Sequence, residues 1–112
     1  MNNDVYTIKE RKVVLPTWLD TFIFNDLSAS YCRQNKNMVV LEWNFDDIKK
    51  YLGTYFPRSY AESFCIFSNF FLKEKNVYEN CQKLSIFDFG CGTGGELVGF
   101  IMAVTKQLPN IK

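Results

Sequence analysis

Apolar positions along the chain fall into short blocks whose spacing changes from one stretch to the next. Val5 to Leu15 carries β-branched residues broken by Lys9, Glu10, Arg11 and Lys12, which reads as an extended arm or two strands around a charged turn. Pro16 ends that stretch, and Thr17 followed by Asp20 forms a capping box for a helix over Trp18 to Arg33. Its apolar positions, Leu19, Phe22, Ile23, Leu27 and Tyr31, recur at helical spacing. After a polar loop, Met38 to Trp43 is a compact apolar run with two valines, better suited to a short strand than to a helix.

Asn44 and Asp47 fit the start of a second helix, Phe45 to Leu52, which Gly53 and then Pro57 are expected to interrupt. Ser59 with Glu62 offers another capping box, and Pro57 stands just before it, where a missing amide does no harm. In the helix that follows, Tyr60, Phe64, Phe67 and Phe71 are spaced by four, three and four residues, placing four rings on one face. Such a stripe is read as core. Lys73 to Lys83 is a polar connector.

The last quarter has a different pattern. Leu84 to Phe89 is a short apolar strand with an acidic residue near its end, followed by Gly90-Cys91-Gly92-Thr93-Gly94-Gly95 and a helical run from Glu96 to Leu108. Glycines permit a tight turn and positive φ, and without a Cβ they let a ligand approach the backbone. A helix that opens on such a loop points free amides at whatever is bound there. Gly90, Gly92 and Gly95 also satisfy the GxGxxG pattern of dinucleotide-binding proteins, so the glycines do not choose between cofactor classes. Asp88 does. A carboxylate at the strand end repels a pyrophosphate but suits a ligand bearing an amino group and a sulfonium. As a structural residue, Asp88 instead caps the loop and helix that follow it.

The string Ile86 to Glu96, IFDFGCGTGGE, resembles the first motif of class I S-adenosylmethionine-dependent methyltransferases. The resemblance implies S-adenosylmethionine as cofactor, with Asp88 near its amino group and Gly90, Gly92 and Gly94 as the floor beneath it. Cys91 and Thr93 would offer backbone amides. In that family the segment before this strand often forms part of the cofactor lid, a place held here by Tyr55 to Tyr60, where Arg58 is the candidate for the cofactor carboxylate. The alternative for Arg58 is a solvated arginine. PRSYAES also faintly resembles the helix before this motif in small-subunit ribosomal-RNA methyltransferase-like proteins, without fixing a substrate.

The fold class implied is α/β, an incomplete Rossmann-like methyltransferase fold. Residues 1–83 are a mostly helical N-terminal or lid region with short strands, and residues 84–112 begin the cofactor domain. Pro109 to Lys112 looks like the opening of the family's next strand, so the acidic residue on the ribose hydroxyls, the adenine loop and the substrate segment are not in the chain. No catalytic residue is nominated, and the chain alone is expected to be inactive. A first strand of this kind lies inside its sheet, so it is expected to pair with Val5 to Leu15 or Met38 to Trp43, or to assemble with another chain as a homo-oligomer or domain swap.

Composition adds exclusions. A chain of 112 residues holds one core, and 47% apolar with 17% aromatic residues is enough to build it. A net charge of +1 gives no signal for nucleic acid. No apolar run reaches membrane-spanning length and no signal peptide opens the sequence, which makes the cytoplasm the expected compartment. There is no histidine and no CxxC pair, so no metal site is expected, and Cys32, Cys65 and Cys81 are read as small buried hydrophobes. Two functions follow from different classes. The first is the N-terminal part of a methyltransferase of unknown acceptor; the second is a noncatalytic nucleotide-binding or interaction module completed by a partner chain.

Overall fold

A computed structural model of the chain describes residues 7–9, 12–32 and 44–112. The strand expected at Met38 to Trp43 lies outside the described residues. Two compact units divide the chain, Met1–Arg58 and Ser59–Lys112.

In the first unit, β1 (Thr7–Lys9) and β2 (Lys12–Val14) form an antiparallel hairpin with Thr7 opposite Val14 and Lys9 opposite Lys12. This is the two-strand form of the expected arm. Helix α1 (Thr17–Thr21) follows Pro16, which occupies the N-cap, so the expected Thr17 cap does not form. A proline there costs nothing, because its absent amide belongs to a turn that has no partner for it. The next residues, Phe22–Asp26, continue as a π-helical turn in which the Leu27 amide donates to the Phe22 carbonyl. Ser28, at a φ of 55°, ends the helical path well before Arg33. Leu19 and Ile23 are buried while Trp18, Phe22, Leu27 and Tyr31 are exposed, so only part of the apolar spacing faces the core.

The second half of this unit is the start of α2 (Phe45–Lys73). Asn44 caps it as expected, its side-chain oxygen accepting the Asp47 amide at 2.9 Å. Helix α2 runs unbroken for 29 residues, through both Gly53 and Pro57. Pro57 removes one helical hydrogen bond, the one that would reach the Gly53 carbonyl. What Gly53 contributes is close approach. A Cβ there would lie 2.3 Å from the Ser30 carbonyl oxygen, and the Ser30 amide donates to the Lys49 carbonyl. Thr54 extends the clasp, accepting the Cys32 amide at 3.0 Å and donating to the Cys32 carbonyl at 3.3 Å.

In the second unit the rest of α2 is followed by a short turn of helix, α3 (Lys75–Tyr78), and by α4 (Gly95–Gln107). The expected aromatic stripe is the core. Tyr60, Phe64 and Phe71 are buried, and Phe67 packs edge-on against Phe100 of α4 with ring centroids 4.7 Å apart. Phe71 joins Val104 and Leu108 in a cluster to which Tyr78, Leu84, Phe100 and Ile111 add their side chains. On α4 the residues Gly95, Gly99 and Ala103 are buried at a spacing of four. Gly99 brings the two helix backbones together, since a Cβ on it would stand 2.5 Å from the Tyr60 carbonyl oxygen.

The α/β expectation fails. Residues 84–89 form no strand, and the hairpin is the only ladder among the described residues. A strand needs partners along its edges and cover on its faces. The strands Thr7–Lys9 and Lys12–Val14 instead pair with each other, and of the apolar run Leu84 reaches the core while Ile86, Phe87 and Phe89 are exposed. The described chain is therefore predominantly helical and is not a Rossmann-like fold. After α4 the chain returns to this segment, where the Lys112 amide donates to the Gln82 carbonyl at 3.1 Å.

Gly99→Ala is expected to destabilise the fold by about 1–3 kcal/mol, because backbone rather than a flexible side chain must give way. Urea unfolding of the variant should show a lower midpoint at unchanged slope. Tyr60 makes a second prediction. Burial pushes its phenol from 10.0 up to about 12, so the folded chain keeps a proton that the unfolded chain releases. Stability is unaffected below pH 10 and falls as pH rises from 10 towards 12. Tyr60→Phe should flatten that decline in unfolding curves taken across the window.

Candidate functional site

The glycine loop is the most unusual stretch of backbone in the second unit. Gly90, Gly92 and Gly94 all have positive φ, at 68°, 55° and 85°. These are the conformations for which the absence of a Cβ matters. The Gly94 amide donates to the Cys91 carbonyl at 2.9 Å, closing a turn, and Gly94 is the N-cap of α4. Its carbonyl accepts the first α4 bond shown, from the Val98 amide at 3.0 Å. Thr93 lies beside this start, its hydroxyl oxygen facing the Gly95 amide at 3.4 Å.

No neighbour fills the space where a Cβ of Gly90 or Gly94 would project. The backbone is open at both positions. The helix behind it is anchored, because the buried Ser63 hydroxyl donates to the Glu96 carbonyl at 2.7 Å and Gly99 rests on Tyr60. An anchored helix holds its free N-terminal amides in a fixed direction, which is what recognition of a polar ligand requires.

Asp88 is half-buried, and its Oδ2 is buried with no hydrogen-bond partner. A carboxylate oxygen in that condition costs free energy unless a cation or donor meets it. The alternative reading of Asp88 as a cap is not supported at this oxygen, which meets no amide of the loop or of α4. Cys91 is exposed, with its Sγ 3.9 Å from the Gly92 carbonyl oxygen.

The structure thus brings Asp88, Gly90, Cys91, Gly92, Thr93 and Gly94 together on one short loop. Arg58 is exposed on α2 and belongs to the first unit. The segment Tyr55 to Tyr60 is continuous helix, so the expected helix start at Ser59 does not exist. Cys32 and Cys81 are half-buried and Cys65 is exposed, which corrects the reading of Cys65 as a buried hydrophobe. Among the described residues no cluster of three or more His, Cys, Asp or Glu side chains could hold a metal ion, and no helix is long and apolar enough to cross a membrane.

One feature of this unit escaped the sequence reading. Ser59, Glu62, Ser63, Ile66 and Phe67 of α2 and Glu96 of α4 line a half-open cavity of about 280 Å³. Glu62 reads in sequence as the partner of a helix cap, and the cavity depends on the close crossing at Gly99. The signal for that crossing was present in the spacing of Gly95, Gly99 and Ala103.

Compared with family models, curated proteins and solved structures, the chain matches none of them.

If the packing at Gly99 holds the loop in place, Ser63→Ala should loosen it. Losing the bond to the Glu96 carbonyl is expected to destabilise by about 1 kcal/mol and to speed amide exchange in the first turn of α4. Hydrogen exchange read residue by residue checks this.

Proposed function

We propose that the loop from Asp88 to Gly95, with the N-terminus of α4, binds S-adenosylmethionine, and that the chain serves a methyltransferase. The carrying observation is Asp88 Oδ2, a buried carboxylate oxygen without a partner, just ahead of three glycines at positive φ. The IFDFGCGTGGE resemblance supplies the identity of the ligand, and the geometry fits it in charge. The methionine moiety carries an ammonium that Asp88 can accept, and a carboxylate that suits the free amides at the start of α4. Gly90 and Gly94 leave room above the backbone, and Cys91 and Thr93 lie between them on the same turn.

S-adenosylmethionine brings its own electrophilic methyl group, so the residues named here contribute binding and orientation rather than acid or base chemistry. The same residues argue against NAD. A pyrophosphate placed over this loop would meet the Asp88 carboxylate.

A specific observation also favours the second reading, a module completed by another chain. Phe87 and Phe89 are 87% and 90% exposed immediately before the loop, a position in which aromatic rings are normally covered. A second copy or a partner chain that covers them would finish the wall of the site.

Calorimetry with S-adenosylmethionine, S-adenosylhomocysteine and NAD tests the proposal. Both sulfur compounds should bind and NAD should not, with Asp88→Asn weakening S-adenosylmethionine about tenfold. Binding of NAD alone would defeat the assignment.

A further inference from the structure

Leu84 to Phe89 carries the marks of a strand without its partner. No turn or bend interrupts residues 81–88, and exposure alternates along them. Leu84 and Asp88 are half-buried and Ile86 is 46% exposed, whereas Phe87 and Phe89 are 87% and 90% exposed. Residues of one parity thus turn towards the unit and those of the other parity turn away, as on a strand covered on one face. Among the described residues, no backbone amide or carbonyl from Lys83 to Phe89 takes part in a hydrogen bond. An open edge of that kind is a template for a strand from another chain.

The sequence of the segment says which chain fits. Its two charged residues, Lys83 and Asp88, have opposite signs and lie near its two ends. Laid antiparallel on a second copy, in the register that sets Lys83 against Asp88, the segment forms that ion pair twice, because a two-fold axis repeats every contact. The same register sets Leu84 against Phe87 and Ser85 against Ile86. A slip of one residue in either direction puts Lys83 against Phe87 or Phe89 and breaks both ion pairs.

Side chains directly opposite each other share a face of the pair. Each exposed Phe87 ring therefore comes to lie beside Leu84 of the other copy, which already packs on the cluster of Phe71, Val104 and Leu108. In area, two phenylalanine side chains bring roughly 300–450 Å² per copy, about half of what each partner buries in a standard interface. Ile86 and the strand backbone add to that, which suits a dimer of micromolar strength.

We propose that the chain forms a two-fold dimer in which Leu84 to Phe89 of two copies pair as antiparallel strands, with Lys83 of each copy against Asp88 of the other. The dimer does not depend on the loop binding S-adenosylmethionine. A carboxylate has two oxygens, so an ion pair with Lys83 leaves Asp88 able to accept a second donor.

Sedimentation equilibrium of the ligand-free full chain, from micromolar to millimolar concentration, is the test. The expected result is a reversible equilibrium between one and two copies. Lys83→Asp and Asp88→Lys should each weaken the dimer about tenfold by setting like charges opposite each other twice, and the double variant should return to within about threefold of the parent. The register is also read in the parent itself, from nuclear Overhauser contacts between the Phe87 ring of isotope-labelled chain and the Leu84 methyls of unlabelled chain in a mixed sample. Where a variant does not keep the circular dichroism of the parent, those contacts decide. A monomer throughout the range, assemblies that grow past two copies, a double variant no tighter than the folded single variants, or intermolecular contacts of Phe87 with other residues in place of Leu84 would each overturn the proposal.

Discussion

The close crossing of α4 over α2 at Gly99 is the constraint on which the second unit depends. The α4 backbone lies against the α2 backbone there, a Cβ on Gly99 being excluded by the Tyr60 carbonyl. Everything nearby follows from that approach. It lets Phe67 and Phe71 reach Phe100, brings the Ser63 hydroxyl within reach of the Glu96 carbonyl, and fixes the direction in which the amides of the first α4 turn point. The glycine loop itself makes few contacts, so its position is inherited from the helix it leads into.

This division of labour explains how a loop with three positive-φ glycines is held in place by the helix it leads into. The glycines give up side-chain packing in return for conformations and open space that other residues cannot provide. Rigidity comes from the buried stripe Gly95, Gly99 and Ala103, which starts where the loop ends and runs along the first turns of α4. Asp88 shows the complementary feature, a polar group whose own chain does not satisfy it. A buried polar atom left in that condition costs free energy until a donor or a cation meets it.

Part of this was legible in the sequence. The aromatic stripe Tyr60, Phe64, Phe67 and Phe71 is a period that only a helix satisfies, and Asn44 caps α2 as its side chain dictates. The loop was readable because glycine spacing reports backbone conformation directly. Three features were not. Local rules place a break at Gly53 and Pro57, but α2 is continuous through both, and Gly53 serves instead as a point of close approach to the Ser30 backbone. The apolar composition of Leu84 to Phe89 indicates a strand, yet a strand is a property of a pair, and among the described residues none lies alongside it. Glu62 looked like a capping residue, and only the helix crossing reveals that it shares a cavity with Glu96.

The central claim is that a carboxylate without an internal partner and an open glycine turn form one recognition surface for a cationic amino-acid ligand. Residue-resolved amide shifts on adding S-adenosylmethionine test it most directly. The account predicts saturable changes concentrated from Asp88 to Leu97. Saturable changes confined to other parts of the chain, or none at all with the fold intact, would contradict it.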